Sequence, residues 1–398
     1  MSCNMNRRAW LASTVGVGLW ATGIARHTAP AALGSAPRPD RSAEAPSAPV
    51  GIQRCESFEP LLLRRKFDAL LDSIGGLKRL VENKTVTIKV NLTGLQWKPL
   101  FGMPAYETYQ THPHTVCALC AALADAGARR IVVVENAYWD APFEKTLAEA
   151  GWDLPAIKSA GGHRVSFEDT RNRGPWPGYS RFKVPWGGFV FPAFDLNMRF
   201  EKTDVLISLA KLKEHACAGV TGAVKNFFGI APTSLYGNEA PTENPKDHRT
   251  AIFHDGRKQV PPGVPAEISD QIRGNFRRVP HVVADIFGAR PADLNIVDGI
   301  RTISGGEGHW NRGVKLVEPK VLLAGCNGVC VDAVATAVMG FDPQAPDGQT
   351  PFPGDNHLRL LALVGVGTND LRRIEIVGVP LKEAVFPFQP KAKRKTTA

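Results

Sequence analysis

Residues 85–92 (TVTIKVNL) are followed by a helix-type stretch over 113–126 and then by a second β-branched run, 130–135 (RIVVVE). Apolar runs of this length, rich in Val, Ile and Thr, read as buried strands. Pro113 suits a first helical turn and Gly127 a helix end. Strand, helix and strand in succession predict two parallel strands joined by a crossover helix. The alternation continues with helices predicted over 143–151, 220–228, 279–287 and 328–339. Further strands are predicted over 204–210, 294–297, 321–324 and 373–377. The expected fold is therefore α/β, a mostly parallel sheet flanked by helices and built from β-α-β units, as one domain or two lobes. Residues 170–194 and 231–278 do not fit the alternation. The longer one, rich in Pro, Asn and charge, is expected to be a loop-rich, mobile cover over the strand ends.

The two ends read differently from the body, which is taken as 56–388. Asn6-Arg7-Arg8-Ala9-Trp10-Leu11 precedes a small-residue apolar stretch at 9–25. Paired arginines before a weakly apolar segment resemble a twin-arginine export signal, assigned to residues 1–36. Its partner would be the twin-arginine export machinery, its destination the periplasm or another exported location. No stable membrane span is expected after cleavage. Export by that route raises the expectation of a bound cofactor or metal without naming one. Residues 37–55, rich in Pro, Ala and Ser, read as a flexible linker, and 389–398 as a basic tail. The formal charge of +10 sits largely at these ends: Arg7, Arg8, Arg26, Lys391, Lys393, Arg394 and Lys395 account for all but three of it. With no basic cluster inside the body, nucleic-acid binding is not expected.

Cys117 and Cys120 fall inside a predicted helix and read as core residues rather than a redox pair. The ferredoxin-type cysteine run is absent from the sequence, which disfavours an all-protein iron–sulfur cluster.

In an open parallel sheet, ligands bind outside the carboxyl ends of the strands. Polar and ionisable groups stand there after five predicted strands. Lys89 and Asn91 end the first, and His112-Pro113 open the next helix. Glu135-Asn136 end the second. Lys211, Lys213 and His215 follow the third, with Lys225-Asn226 on the helix behind a Gly-Val-Thr start. Asp298 and then Gly305-Gly306 follow the fourth, and Asp332 follows the fifth. Clustered lysines suit an anion, and a lysine beside another cation has the lowered pKa that base or Schiff-base chemistry uses. Histidines beside them can transfer protons or ligate. A helix start together with three lysines would make a positive pocket.

These motifs, in order, resemble the domain-of-unknown-function family 362. They are Lys89-Val90-Asn91, His112-Pro113, Ala126-Gly127-Ala128, residues 211–213, Gly219-Val220-Thr221, Lys225-Asn226, residues 296–300 and residues 331–343. The resemblance covers about 86–367. Some members carry a ferredoxin-type segment that this chain lacks, so that role is not implied here. The expected catalytic groups are Lys211, Lys213, His215 and His112. Lys89, Asn91, Lys225, Asn226, Asp298, Gly305 and Gly306 are expected to bind ligand. Cofactor and metal stay unassigned. The expected activity is a cofactor- or metal-dependent enzyme acting on a small anionic or carbonyl-bearing molecule. The alternatives are a non-catalytic periplasmic binding protein for an anionic ligand and an iron–sulfur-associated redox protein.

Overall fold

In a computed structural model, the described residues are 38–94, 97–136, 141–171, 177–244, 246–268 and 271–388. The export segment and the basic tail therefore lie outside the described residues. The framework is one eight-stranded sheet. Its strands in chain order are β1 (Val50–Arg54), β2 (Thr85–Lys89), β3 (Arg130–Glu135), β4 (Val165–Asp169), β5 (Val205–Lys211), β6 (Leu294–Gly299), β7 (Val321–Gly325) and β8 (Ile376–Gly378). Across the sheet they run β8-β1-β7-β6-β5-β2-β3-β4. Five of the neighbouring pairs are parallel; only the two made by β7 are antiparallel. The exception has a chain-level cause. Between β6 and β7 the chain makes only a small hairpin, Thr302–Ser304 with Lys315–Val317, and no crossover helix. Without a crossover, the strand can only return in the opposite sense.

Central strands are buried on both faces, and each of the seven residues of β5 is buried. One core layer includes Ile131, Val133, Ile207 and Leu209 and packs beneath the helix Pro113–Asp125. The other includes Val132, Leu206 and Ala210 and packs against the helices Asn275–Ala289 and Gly328–Val338. The helix Pro113–Asp125 begins as its sequence predicts, with Pro113 in the first turn. Its cap is the His112 side chain, whose Nδ1 accepts the His114 N–H at 3.1 Å.

Several expectations are corrected. The stretch 37–55 is not a free linker. It contributes β1, which pairs with both β7 and β8, and the backbone amide of Arg41 donates to Leu363 O at 2.8 Å. A composition rich in Pro and Ala conceals a strand whose five residues alternate too briefly to announce it. The segment 231–278 divides. Ala231, Tyr236, Ile252 and Phe253 belong to the core, whereas none of the described residues in 257–277 is buried. Aromatic anchors spaced irregularly gave no period to read. Strand β4 and the hairpin Tyr179–Lys183 with Ala193–Asn197 were not anticipated. The predicted helix over 220–228 is instead a strand, Gly219–Thr221, then the short helix Ala223–Asn226 and a 3-10 turn. The last strand begins at Ile376, after a 3-10 turn at Leu371–Arg373.

Candidate functional site

The chain steps from β2 outward to β3 and β4, then returns to the other side of β2 as β5 and continues to β6. The order reverses between β2 and β5, and the crevice beyond their carboxyl ends is the place where open α/β sheets bind ligands. Lys89 and Lys211 are the last residues of these two strands. Lys89, Lys211, Lys213 and Lys225 are respectively 1%, 0%, 1% and 8% exposed. Lysines are almost never buried to this degree without partners, so each partner decides what the lysine can do.

Lys89 is neutralised. Its Nζ lies 2.7 Å from Glu135 Oε1 and donates to Val90 O at 2.6 Å. Glu135 in turn accepts the Leu92 and Asn136 amides at 2.9 Å each. Asn226 ties this group together: its Oδ1 accepts from Asn91 Nδ2 at 3.1 Å, and its Nδ2 donates to Lys89 O and Ser208 Oγ at 3.1 Å each. Lys211 is also neutralised, but on the other face. It shares strand parity with Ile207 and Leu209, in the layer beneath the helix Pro113–Asp125. There its Nζ donates to Asp298 Oδ2 at 3.1 Å and sits 4.9 Å from the Phe58 ring centre. Burial lowers the pKa of both lysines, and their acids oppose that shift.

His112 belongs to the Lys211 side. It stacks on Phe58 with ring centres 3.8 Å apart, and its Nε2 lies 3.3 Å from Glu107 Oε1. Burial lowers its pKa. Both of its ring nitrogens are thus engaged, Nδ1 in the helix cap and Nε2 toward Glu107.

Lys213 and Lys225 are different. Lys213 Nζ donates to Tyr109 O at 2.5 Å and Asn91 Oδ1 at 3.1 Å, both uncharged acceptors. Burial, reinforced by the charges of Lys211 and Lys225, holds it well below the ordinary lysine value against the pull of Glu307. Lys225 Nζ lies over the Phe228 ring at 4.1 Å, with no ion pair or hydrogen bond among the described residues. Burial lowers its pKa to about 8. His254 packs edge-on against the same Phe228 ring at 5.6 Å. On the adjoining hairpin, in which Lys213–His215 pairs antiparallel with Gly219–Thr221, His215 Nδ1 accepts the Cys217 and Ala218 amides at 3.1 and 3.2 Å. His357 is fully buried, its ring nitrogens making only a loose approach to the Ala218 backbone. Burial depresses all three imidazoles: His215 well below its ordinary value, His254 to about 4 and His357 to about 3. They are neutral at pH 7. Because His215 Nδ1 is an acceptor, its proton is on Nε2, which makes that edge a donor.

Two expected anion-binding elements are already occupied. The first amides of the helix Ala223–Asn226 are taken by Asp332, whose carboxylate accepts Ala223 N at 2.7 Å and Val224 N at 2.9 Å. Only glycine fits before them, since a Cβ on Gly222 would lie 2.2 Å from Asp332 Oδ1. Burial pushes Asp332 up to about 7. The Gly305 amide donates to Glu214, and a Cβ on Gly306 would meet the Asn311 side chain at 2.5 Å. This pair closes a turn and does not form an open anion cradle.

The predicted set thus splits. Lys89, Asn91, Lys213 and Asn226 form one network, with Lys225 and His215 beside it. Lys211, Asp298 and His112 lie across the sheet. Sequence reasoning missed His254, in a segment without period, and His357, which stands far along the chain at a helix start. It also missed Glu307, although a glycine-rich turn beyond a strand end pointed to its neighbourhood. Among the described residues no three His, Cys, Asp or Glu side chains converge as a metal set. No described helix is long and apolar enough to cross a membrane.

A doubly flanked α/β sheet with buried lysines at its switch point defines the class of protein. Residues 86–337 match the family described as domain of unknown function (DUF362), and the chain belongs to that family. It is 27% identical over 188 residues to the thylakoid-associated protein sll1697 of Synechocystis, a match covering 47% of this chain. The match covers 51% of that protein, so the chain spans about half the length of this curated relative. Among solved structures, it resembles a Thermotoga maritima protein with a TM-score of 0.36 and 13% identity, covering 69% of this chain and 57% of the other. It also resembles the lactate racemase apoprotein of Thermoanaerobacterium thermosaccharolyticum with a TM-score of 0.34 and 14% identity, covering 68% and 54%.

Proposed function

We propose that this chain is an exported enzyme that binds a small carbonyl-bearing anion beside Lys225, at the carboxyl edge of the sheet. The observation that carries the reading is the Lys225 amine. It is 8% exposed and makes no ion pair or hydrogen bond among the described residues. An ammonium group left so is costly in the empty protein, and a bound anion relieves the cost. The neutral imidazole of His215 offers an N–H to the same ligand without adding charge. With its pKa near 8, Lys225 holds an appreciable neutral fraction at neutral pH. A neutral amine adds to a carbonyl carbon with loss of water. Lys213, likewise depressed by burial, would exchange protons with the bound ligand.

Glyoxylate, the smallest oxo acid, tests both halves. Incubation with glyoxylate and borohydride, followed by peptide mass spectrometry, is expected to give a reduced adduct on Lys225 ahead of the exposed lysines. An unmodified Lys225 in protein that nevertheless binds glyoxylate would replace the enzyme with a non-catalytic anion carrier. Export is a separate matter, resting on the Arg7-Arg8 signal. Replacing both arginines by lysine is expected to leave full-length precursor in the cytoplasm, read by fractionation; normal export of that variant would remove the twin-arginine route.

A further inference from the structure

The connection between β6 and β7 carries a loop, residues 305–313, directly beyond the strand end that holds Asp298. Its neck is made by two glycines in left-handed backbone conformations, Gly305 at φ +83° and Gly313 at φ +73°. A Cβ on Gly305 would lie 3.2 Å from Gly313 O. Within the loop, Asn311 Oδ1 accepts the Glu307 and Gly308 amides at 2.8 and 3.2 Å, so the tip is a self-contained turn. The tip is fastened to the body by polar contacts and by the Trp310 ring, which lies against Gly94 and 6.0 Å from the Tyr109 ring. Glu307 Oε2 accepts the Ala216 amide at 2.9 Å, next to His215 in the hairpin. Glu307 Oε1 accepts the indole N–H of Trp310 at 3.1 Å, while Trp310 remains 43% exposed. His309 Nδ1 lies 3.2 Å from the hydroxyl of Tyr109, the residue whose carbonyl accepts Lys213.

We infer that the anion this site takes is a carboxylate and that Glu307 holds its place in the empty protein, with the Ala216 amide as the shared docking point. The inference rests on the anion-pocket reading above and sharpens its ligand class. Glu307 is the acid with the largest pull on Lys213 and on Lys225 alike, although it forms an ion pair with neither. A protein carboxylate that meets a backbone N–H and favours the charged forms of two under-neutralised amines reproduces part of what a ligand carboxylate would meet. The glycine neck lets the loop swing without strain in the helices or sheet. An incoming oxo acid would then displace Glu307 from Ala216 and be covered by the turn that carries Trp310. The apparent affinity of the intact protein is reduced by the fraction of molecules in which Glu307 is seated.

Calorimetric titration of the full chain with glyoxylate, and separately with inorganic phosphate, tests this in the protein as it stands and in Glu307→Ala and Glu307→Gln. Removing the competitor is expected to tighten glyoxylate binding by about tenfold in both variants. Phosphate is expected to bind more weakly than glyoxylate throughout. In Glu307→Ala the Ala216 amide is also expected to exchange hydrogen faster than in the intact protein and to be protected again when glyoxylate binds, a rescue that a merely structural Glu307 would not produce. If glyoxylate binds the intact protein and neither variant gains affinity, the role of Glu307 is overturned while the anion pocket stands. Phosphate binding more tightly than glyoxylate overturns the carboxylate assignment. If neither anion binds any of the three proteins, the pocket reading falls and this inference falls with it.

Discussion

Replacing Asp298 with alanine is expected to destabilise the fold by about 3–5 kcal/mol, the usual cost of stranding one member of a buried ion pair. Asp298 and Lys211 are each 0% exposed, and the carboxylate makes three contacts. Oδ2 accepts Lys211 Nζ at 3.1 Å and Thr115 Oγ1 at 3.3 Å, and Oδ1 accepts the Ile300 amide at 3.0 Å. Removing it leaves an ammonium facing the Phe58 ring and aliphatic neighbours, with burial lowering its pKa. A domain stability of about 5–15 kcal/mol makes such a loss close to unfolding. The control separates charge from packing: Lys211→Met combined with Asp298→Leu is expected to recover most of the stability, because apolar replacements of buried pairs are commonly neutral. Urea midpoints measure both. A loss below about 1 kcal/mol in the single variant would mean that water reaches Lys211, and this side of the sheet would then have to be reconsidered as a site.

How much of this was legible in the sequence follows from what each signal measures. Strand-end position is local, so the chemistry-bearing residues after β2, β5 and β6 could be named, and Lys89, Asn91, Lys213 and Asn226 do meet. Partnership is not local. The acids that neutralise Lys89 and Lys211 are Glu135, on a neighbouring strand, and Asp298, 87 residues away. Nothing in the sequence separates a paired lysine from an unpaired one. The expected positive pocket grouped Lys211 with Lys213, yet β5 ends at Lys211. The turn through Leu212 sends Lys213 to Asn91 and Tyr109 while Lys211 stays with Asp298. The Asp332 cap was hidden for a similar reason: an acid on one buried helix satisfies the start of another, 108 residues earlier at Val224. The β-branched strands were legible because a two-faced buried strand has no alternative composition. Strand β1 was not, because its place next to β7 is set by the sheet's geometry rather than by its own residues.

Lys225→Met is expected to stabilise the empty protein while abolishing capture of glyoxylate, a pairing of effects that a structural lysine does not give. The sign follows from the pKa. Burial holds Lys225 at about 8 in the folded protein, below its ordinary value of 10.5. Below pH 8 both the folded and unfolded chains carry the charge, and the fold bears the full cost of burying it. Between about 8 and 10.5 the unfolded chain binds the extra proton, so stability rises with pH across that window and levels off above it. At 1.36 kcal/mol per pKa unit the cost at neutral pH is on the order of 3 kcal/mol, an upper value for a group that keeps some contact with solvent. Methionine fills the same volume over Phe228 without the charge. Its advantage should be largest at or below pH 7 and vanish by about pH 10.5, read from urea midpoints measured at several pH values. Depressed histidines add a second slope at acid pH. His254 and His357, at about 4 and 3, stay neutral while the unfolded imidazoles charge near pH 6.5, so stability falls below that point, and less steeply in Lys225→Met, because the Lys225 charge helps burial to hold both imidazoles down. If the wild type and Lys225→Met show parallel pH profiles across 8 to 10.5, Lys225 is charged and solvated in the folded state. The carbonyl chemistry proposed for it would then lose its neutral amine, and Lys213 would be the remaining candidate.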